Sequence, residues 1–257
     1  MILLKSPDEV REMHRPGEIV GGAHEKVREA IRPGVTTREI DRLVEAYIRE
    51  EGGEPAFKGY RGFPASICIS VNEEVVHGIP GERVLEEGDI VGVDIGVQAL
   101  GFYADAAQTI PVGGVSGDAE RLLRVTREAL YAGIQEARPG NRVGDVSSTV
   151  QERVEKNGFS VVRSLVGHGI GRSMHEDPQV PNFGKPGEGP ELKAGMVLAI
   201  EPMVNAGGFE VEVLADEWTV VTRDGSLSAH FEHSVAITDD GPVILTDGAI
   251  ASVGSGA

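Results

Sequence analysis

Residues 32–52 read RPGVTTREIDRLVEAYIREEG, and residues 138–158 read RPGNRVGDVSSTVQERVEKNG. At a constant offset of 106 they place Pro33 on Pro139, Ile40 on Val146, Val44 on Val150, Ile48 on Val154 and Gly52 on Gly158, with no gap. In each copy an Arg-Pro-Gly turn precedes apolar residues spaced by four, which make the buried stripe of an amphipathic helix ending at glycine. Thr36 with Glu39 adds a capping box to the first copy. Another helix precedes each copy. Ser6-Pro7-Asp8-Glu9 supplies an N-cap, a first-turn proline and an acid, starting a helix that Pro16-Gly17 should bend and Arg32-Pro33-Gly34 should end. The second such helix begins near Gly117-Asp118. The pattern predicts an internal duplication, with pseudo-repeat halves of about 6–112 and 113–246 in a single domain spanning 1–257.

Strand-like runs follow each helix pair: 66–71, 90–95 and 103–110 in the first half, then 160–165, 197–204, 218–222 and 233–237 in the second. The Gly- and Pro-rich stretch Asn182 to Pro190 is short enough to be a loop, so no linker divides the chain. The expected class is α+β, with helices covering one face of a curved, mostly antiparallel sheet and the other face free for a site.

Composition narrows the functions. The chain has 257 residues, and its 24 Lys and Arg against 41 Asp and Glu give a net charge of −17, which repels phosphate backbones and acidic lipid. Direct nucleic-acid and membrane binding are therefore excluded at this stage, and the acidic surface is read as a solubility device. Cys68 is the single cysteine, so no intrachain disulfide forms. The apolar start Met1 to Leu4 is too short for a signal or membrane segment. A cytoplasmic protein is expected.

The chemistry lies in acids set into apolar runs. Asp94 interrupts Ile90-Val91-Gly92-Val93-Asp94-Ile95, and Asp105 follows across a hairpin turn expected at Ala99-Leu100-Gly101-Phe102. Two facing carboxylates repel unless they share a proton or a cation lies between them. Glu201 ends the run Val197 to Ile200, Glu232 lies in Ala229-His230-Phe231-Glu232-His233, and His168 is framed by glycines in Gly167-His168-Gly169-Ile170-Gly171. Four carboxylates and an imidazole form a hard, oxygen-rich donor set. Such a set suits two divalent cations and a hydrolytic reaction better than a cysteine-dominated structural zinc.

The ordered segments Val71-Asn72-Glu73-Glu74-Val75-Val76-His77-Gly78-Ile79-Pro80, Val93-Asp94-Ile95-Gly96, Gly167 to Gly171 with His175-Glu176-Asp177-Pro178, Ile200-Glu201-Pro202 and Phe231-Glu232-His233 resemble type I methionine aminopeptidases of the pita-bread fold. The resemblance spans about residues 6 to 246. It implies that Asp94 chelates one metal, His168 and Glu201 hold the other, and Asp105 and Glu232 bridge them. The two divalent ions would be Co, Mn, Fe or Zn. It further implies that His77 contacts substrate, that His175 stabilises the reacting peptide, and that Glu201 relays a proton. Tyr60, Phe63, Cys68, Met174 and Trp218 would line an apolar pocket for the initiating methionine of nascent polypeptides. A monomer in transient contact with ribosomes is the expected setting.

Departures from the family pattern occur beside Asp105, where Tyr103-Ala104 and Ala106-Ala107 stand, and at His230, Met174 and Phe57. A proline-directed aminopeptidase or prolidase and a non-catalytic pita-bread binding protein are the competing expectations. Cys68 is expected to pack as pocket wall, and His233 behind the ligands. His14 and His24 are expected in solvent.

Overall fold

The computed structural model describes residues 1–250, so the last seven positions of the expected 1–257 domain lie outside the described residues. Four helices form where the start signals predict: α1 (Pro7–Ala30), α2 (Thr37–Glu50), α3 (Gly117–Glu136) and α4 (Val143–Glu155). The Ser6 hydroxyl accepts from the Glu9 N–H, and the Glu9 carboxylate accepts from the Ser6 N–H at 2.7 Å, satisfying two otherwise orphaned donors. Thr36 and Glu39 repeat this arrangement at the start of α2. The Pro16-Gly17 pair does not interrupt α1. A Cβ at Gly17 would meet the Leu245 carbonyl oxygen at 2.1 Å, so the pair marks a close backbone crossing.

The two halves share backbone detail beyond the apolar stripes. Gly34 and Gly140 both have φ of 91°, and their N–H groups donate to the carbonyls of Leu85 and Leu192 at 2.8 and 3.1 Å. α1 and α2 bury Ile19, Ile40, Val44 and Ile48 against Val91, Val93 and Ile95, while α3 and α4 bury Leu122, Val146, Val150 and Val154 against Leu198 and Ile200. Each such side chain contributes about 1.5–3 kcal/mol by leaving water. No helix among the described residues is long and apolar enough to cross a membrane.

Every pairing between the named strands is antiparallel. The strands divide into four hydrogen-bonded sheets instead of one continuous surface. In the first half Ile90–Ala99 pairs with Phe102–Pro111 through a turn whose Leu100 and Gly101 have φ of 53° and 80°, the conformation a two-residue hairpin requires. In the second half His233–Thr238 and Val166–Gly169 flank Val197–Ile200. Two strand expectations change. The 197–204 run breaks after Ile200, because Pro202 cannot donate to a ladder, and resumes as Met203–Asn205. The 160–165 run shortens to Ser160–Val161, and the strand that carries His168 is Val166–Gly169.

Candidate metal centre

Four acids reach one cleft from two ladders. Asp94 lies opposite Ala107 and Asp105 opposite Gly96, so these acids share a sheet face as diagonal neighbours and do not oppose each other directly. In the second ladder Ile200 lies opposite His233, which brings Glu201 and Glu232 to its open end. The ladders are stitched together there. The Asp105 N–H donates to Ser234 Oγ at 3.0 Å, the Ser234 hydroxyl donates to Asp105 Oδ1 at 2.8 Å, and the Glu232 N–H donates to the Ala107 carbonyl at 2.9 Å.

His168 enters from the neighbouring strand, opposite Ala199. Its Nδ1 lies 2.9 Å from the Gly169 carbonyl, an acceptor, so Nδ1 carries the proton and Nε2 offers its lone pair to the cleft. That Nε2 is 3.5 Å from Asp105 Oδ2 and 3.7 Å from Glu201 Oε1. The flanking glycines are needed for this approach: a Cβ at Gly167 would meet the Ala199 carbonyl oxygen at 2.4 Å, and one at Gly169 the Asp177 oxygen at 2.2 Å.

Donor atoms of Asp105, His168 and Glu232 all lie within 4.8 Å of one another, and Asp94 and Glu201 line the same cavity. Burial, and the neighbouring charges of Asp105 and Glu201, hold the Asp94 carboxyl well above its usual range; burial and the other three acids do the same to Glu232. Burial raises Asp105, against the opposing effects of His168 and the Ser234 hydroxyl. Glu201 is pushed up to about 8 by burial, with Asp105 adding to the rise and His168 opposing it. Asp94 Oδ1 is buried and has no hydrogen-bond partner. Mutually repelling acids with an unsatisfied oxygen and a free imidazole nitrogen are the environment a divalent cation relieves, so the donor set fits such ions.

The cavity has a volume of about 150 Å³, and all twelve residues singled out from sequence line it. Phe63, Cys68, Met174, Trp218 and Tyr60 form its apolar part, joined by Phe57, whose ring would collide with any Cβ at Gly96. Burial and the Asp94 and Glu232 charges push the Cys68 thiol up, which keeps it a neutral wall residue. Tyr60 stacks on His175 with its hydroxyl 2.9 Å from Nδ1. Partial burial and the nearby His168 and Arg61 hold His175 below the usual imidazole range. Burial and His230 lower His77 to about 4, and its φ of 61° is a left-handed conformation unusual for a side-chain-bearing residue.

The histidine expectations divide. His24 is fully buried, with Nε2 2.9 Å from the Ala106 carbonyl, because it shares the inward face of α1 with Val20 and Val27. This corrects its placement in solvent. His14 is half-buried, while His233 is buried against Thr246 Oγ1 at 2.9 Å. His230, read from sequence only as a departure from the family pattern, has its Nε2 3.6 Å from Glu201 Oε2 with no hydrogen-bond partner. Two features went unread in the sequence. Arg61 lines the cavity mouth. Lys5 pairs with Glu176, 171 residues away, which no local pattern reveals.

The model of metallopeptidase family M24 matches residues 11–239. Methionine aminopeptidase 1 of Bacillus subtilis (strain 168) is 55% identical over 246 residues, covering 96% of this chain and 99% of that protein. The crystal structure of a methionine aminopeptidase from Thermotoga maritima superposes with a TM-score of 0.94 at 50% identity, covering 96% of this chain and 99% of that one. A prolidase from Pyrococcus furiosus shares the fold at a TM-score of 0.78 and 24% identity, and this chain covers 65% of its length. The fold is that of the pita-bread metallopeptidases.

Proposed function

This chain belongs to metallopeptidase family M24, and from that premise we propose that it is a methionine aminopeptidase, removing the first methionine from polypeptides whose second residue is small. The observation that carries the reading is the meeting, in one cavity, of the acid cluster with the apolar side chains of Phe63, Cys68, Met174 and Trp218. Such a cavity matches one unbranched thioether side chain, and the carboxylates beside it attract a free α-ammonium.

Two divalent ions would be held by the five donors, Asp94 on one, His168 and Glu201 on the other, with Asp105 and Glu232 between them. When bound, they supply Lewis acidity, which makes a nucleophile available near neutral pH and polarises the scissile carbonyl. Mn, Fe, Co and Zn all suit this donor set. The protein's own groups do the rest. Glu201, at the open end of the second ladder beside the other donors, accepts a proton and passes it to the departing amine. A Tyr60 hydroxyl that donates to His175 Nδ1 leaves the imidazole proton on Nε2, where it stabilises charge growing on the reacting carbonyl. His77, held edge-on to Trp218 with ring centroids 6.4 Å apart, contacts the substrate from the same cavity.

The natural substrates on this reading are nascent polypeptides, met in the cytoplasm by a monomer in transient contact with the ribosome. The two halves act as one catalytic unit. The test is release of methionine from Met-Ala-Ser by chelated protein resupplied with Mn, Fe, Co or Zn, set against an Ala-Pro peptide. Preference for the proline peptide, or no hydrolysis of either, refutes the proposal.

A further inference from the structure

The amine end of the cleft is closed. Asp105 and Glu232 there are each only 2% exposed, so a peptide held by its first residue leaves through the mouth. Arg61 stands at that mouth. It is exposed, yet it lines the cavity, and its guanidinium lies 5.4 Å from the centroid of the Tyr60 ring that stacks on His175. The turn that carries it is unusual: Gly59, Arg61 and Gly62 have φ of 82°, 50° and 94°. Two glycines supply left-handed geometry at no steric cost, whereas Arg61 adopts it with a side chain.

Charge makes the position distinctive. Among the described residues Arg61 is the only Lys or Arg that lines this cavity. Among the described residues it forms no ion pair, while the neighbouring Lys58 is tied to Glu45 at 2.7 Å. The chain as a whole carries −17. A cation without an ion pair at the exit of an acidic cleft can engage a carboxylate on whatever passes.

We propose that Arg61 reads the charge of the peptide beyond the scissile bond, favouring acidic over basic side chains at the third and fourth residues. The proposal rests on the aminopeptidase reading and extends it. The overall negative charge would favour basic peptides, so an acidic preference cannot arise from the general field.

The experiment compares amidated peptides Met-Ala-Glu-Glu-Ala-Ser and Met-Ala-Lys-Lys-Ala-Ser on Mn-loaded enzyme. At low salt the acidic peptide should show a kcat/KM about threefold to tenfold higher, carried mainly by KM, and the gap should shrink as added salt shortens the screening length. Arg61→Gln should remove the acidic preference, leaving the two peptides level or the basic one ahead, and Arg61→Glu should put the basic peptide further ahead. Equal rates for the two peptides, or an unchanged ratio in Arg61→Gln, overturns the role of Arg61 while methionine release upholds the activity. If neither peptide loses methionine, the activity itself is refuted and this role with it.

Discussion

Lys5 Nζ lies 2.6 Å from Glu176 Oε2, with both side chains 5% exposed, and the acid is the immediate neighbour of His175. Glu176 Oε1 also accepts from the Ser173 N–H at 3.1 Å, so the pair anchors both the segment before α1 and the loop that presents His175. Removing one partner of a buried pair leaves the other charged and unsolvated. Lys5→Met should therefore lower stability by about 3–5 kcal/mol, read from urea unfolding midpoints. Adding Glu176→Gln should recover part of that loss. In whatever fraction of Lys5→Met stays folded, kcat should fall more than KM rises; an unchanged kcat would show that the pair does not position His175.

His168→Ala and Glu201→Gln test the cation site. Each should retain its far-UV circular dichroism, since both groups border the cleft, and each should lower turnover on the order of 10³-fold. Calorimetric titration with Mn into chelated protein should show weakened binding. Wild-type affinity in either variant would refute the ligand assignment independently of any activity assay.

His230 supplies a finer test. Its Nε2, 3.6 Å from Glu201 Oε2, is placed to orient that carboxylate. His230→Ala should weaken cation binding by about 10- to 100-fold, the range for groups that hold a ligand in place, while His230→Gln keeps a donor and most of the affinity. Equal losses in the two variants would mean that only packing is at stake.

The buried His24 predicts an acid-sensitive stability. Burial lowers this imidazole from 6.5 to about 4, against the raising effect of the Ala106 carbonyl. Between those values the unfolded chain binds the proton and the folded one does not, so stability from this group is full above about pH 6.5 and drains away as pH falls toward 4. A shift of this size corresponds to about 3 kcal/mol. Unfolding midpoints measured across that interval should fall more steeply for wild type than for His24→Gln. Parallel curves would place the acid sensitivity elsewhere.

Much of the site could be read from residue order because each chemical group interrupts a pattern. Asp94 breaks a run of β-branched residues and His168 sits between glycines whose missing side chains admit other backbone. All twelve residues named from sequence meet in one cavity. What escaped depended on contacts far along the chain or on three-dimensional facing. His24 was expected in solvent, although Val20 and Val27 share its face of α1. The diagonal offset of Asp94 and Asp105 depends on the register of a hairpin, which alternating polarity does not fix to the residue. Arg61 carried no pattern, since its position is set by backbone geometry in a short turn.

The split origin of the acid cluster has a consequence for how little of this protein could work alone. Asp94 and Asp105 come from the half that holds α1 and α2, whereas His168, Glu201 and Glu232 come from the half that holds α3 and α4. Neither stretch carries all five donors, however well it folds. The donor cluster is therefore a property of the seam between these two stretches of chain, and neither assembles it alone.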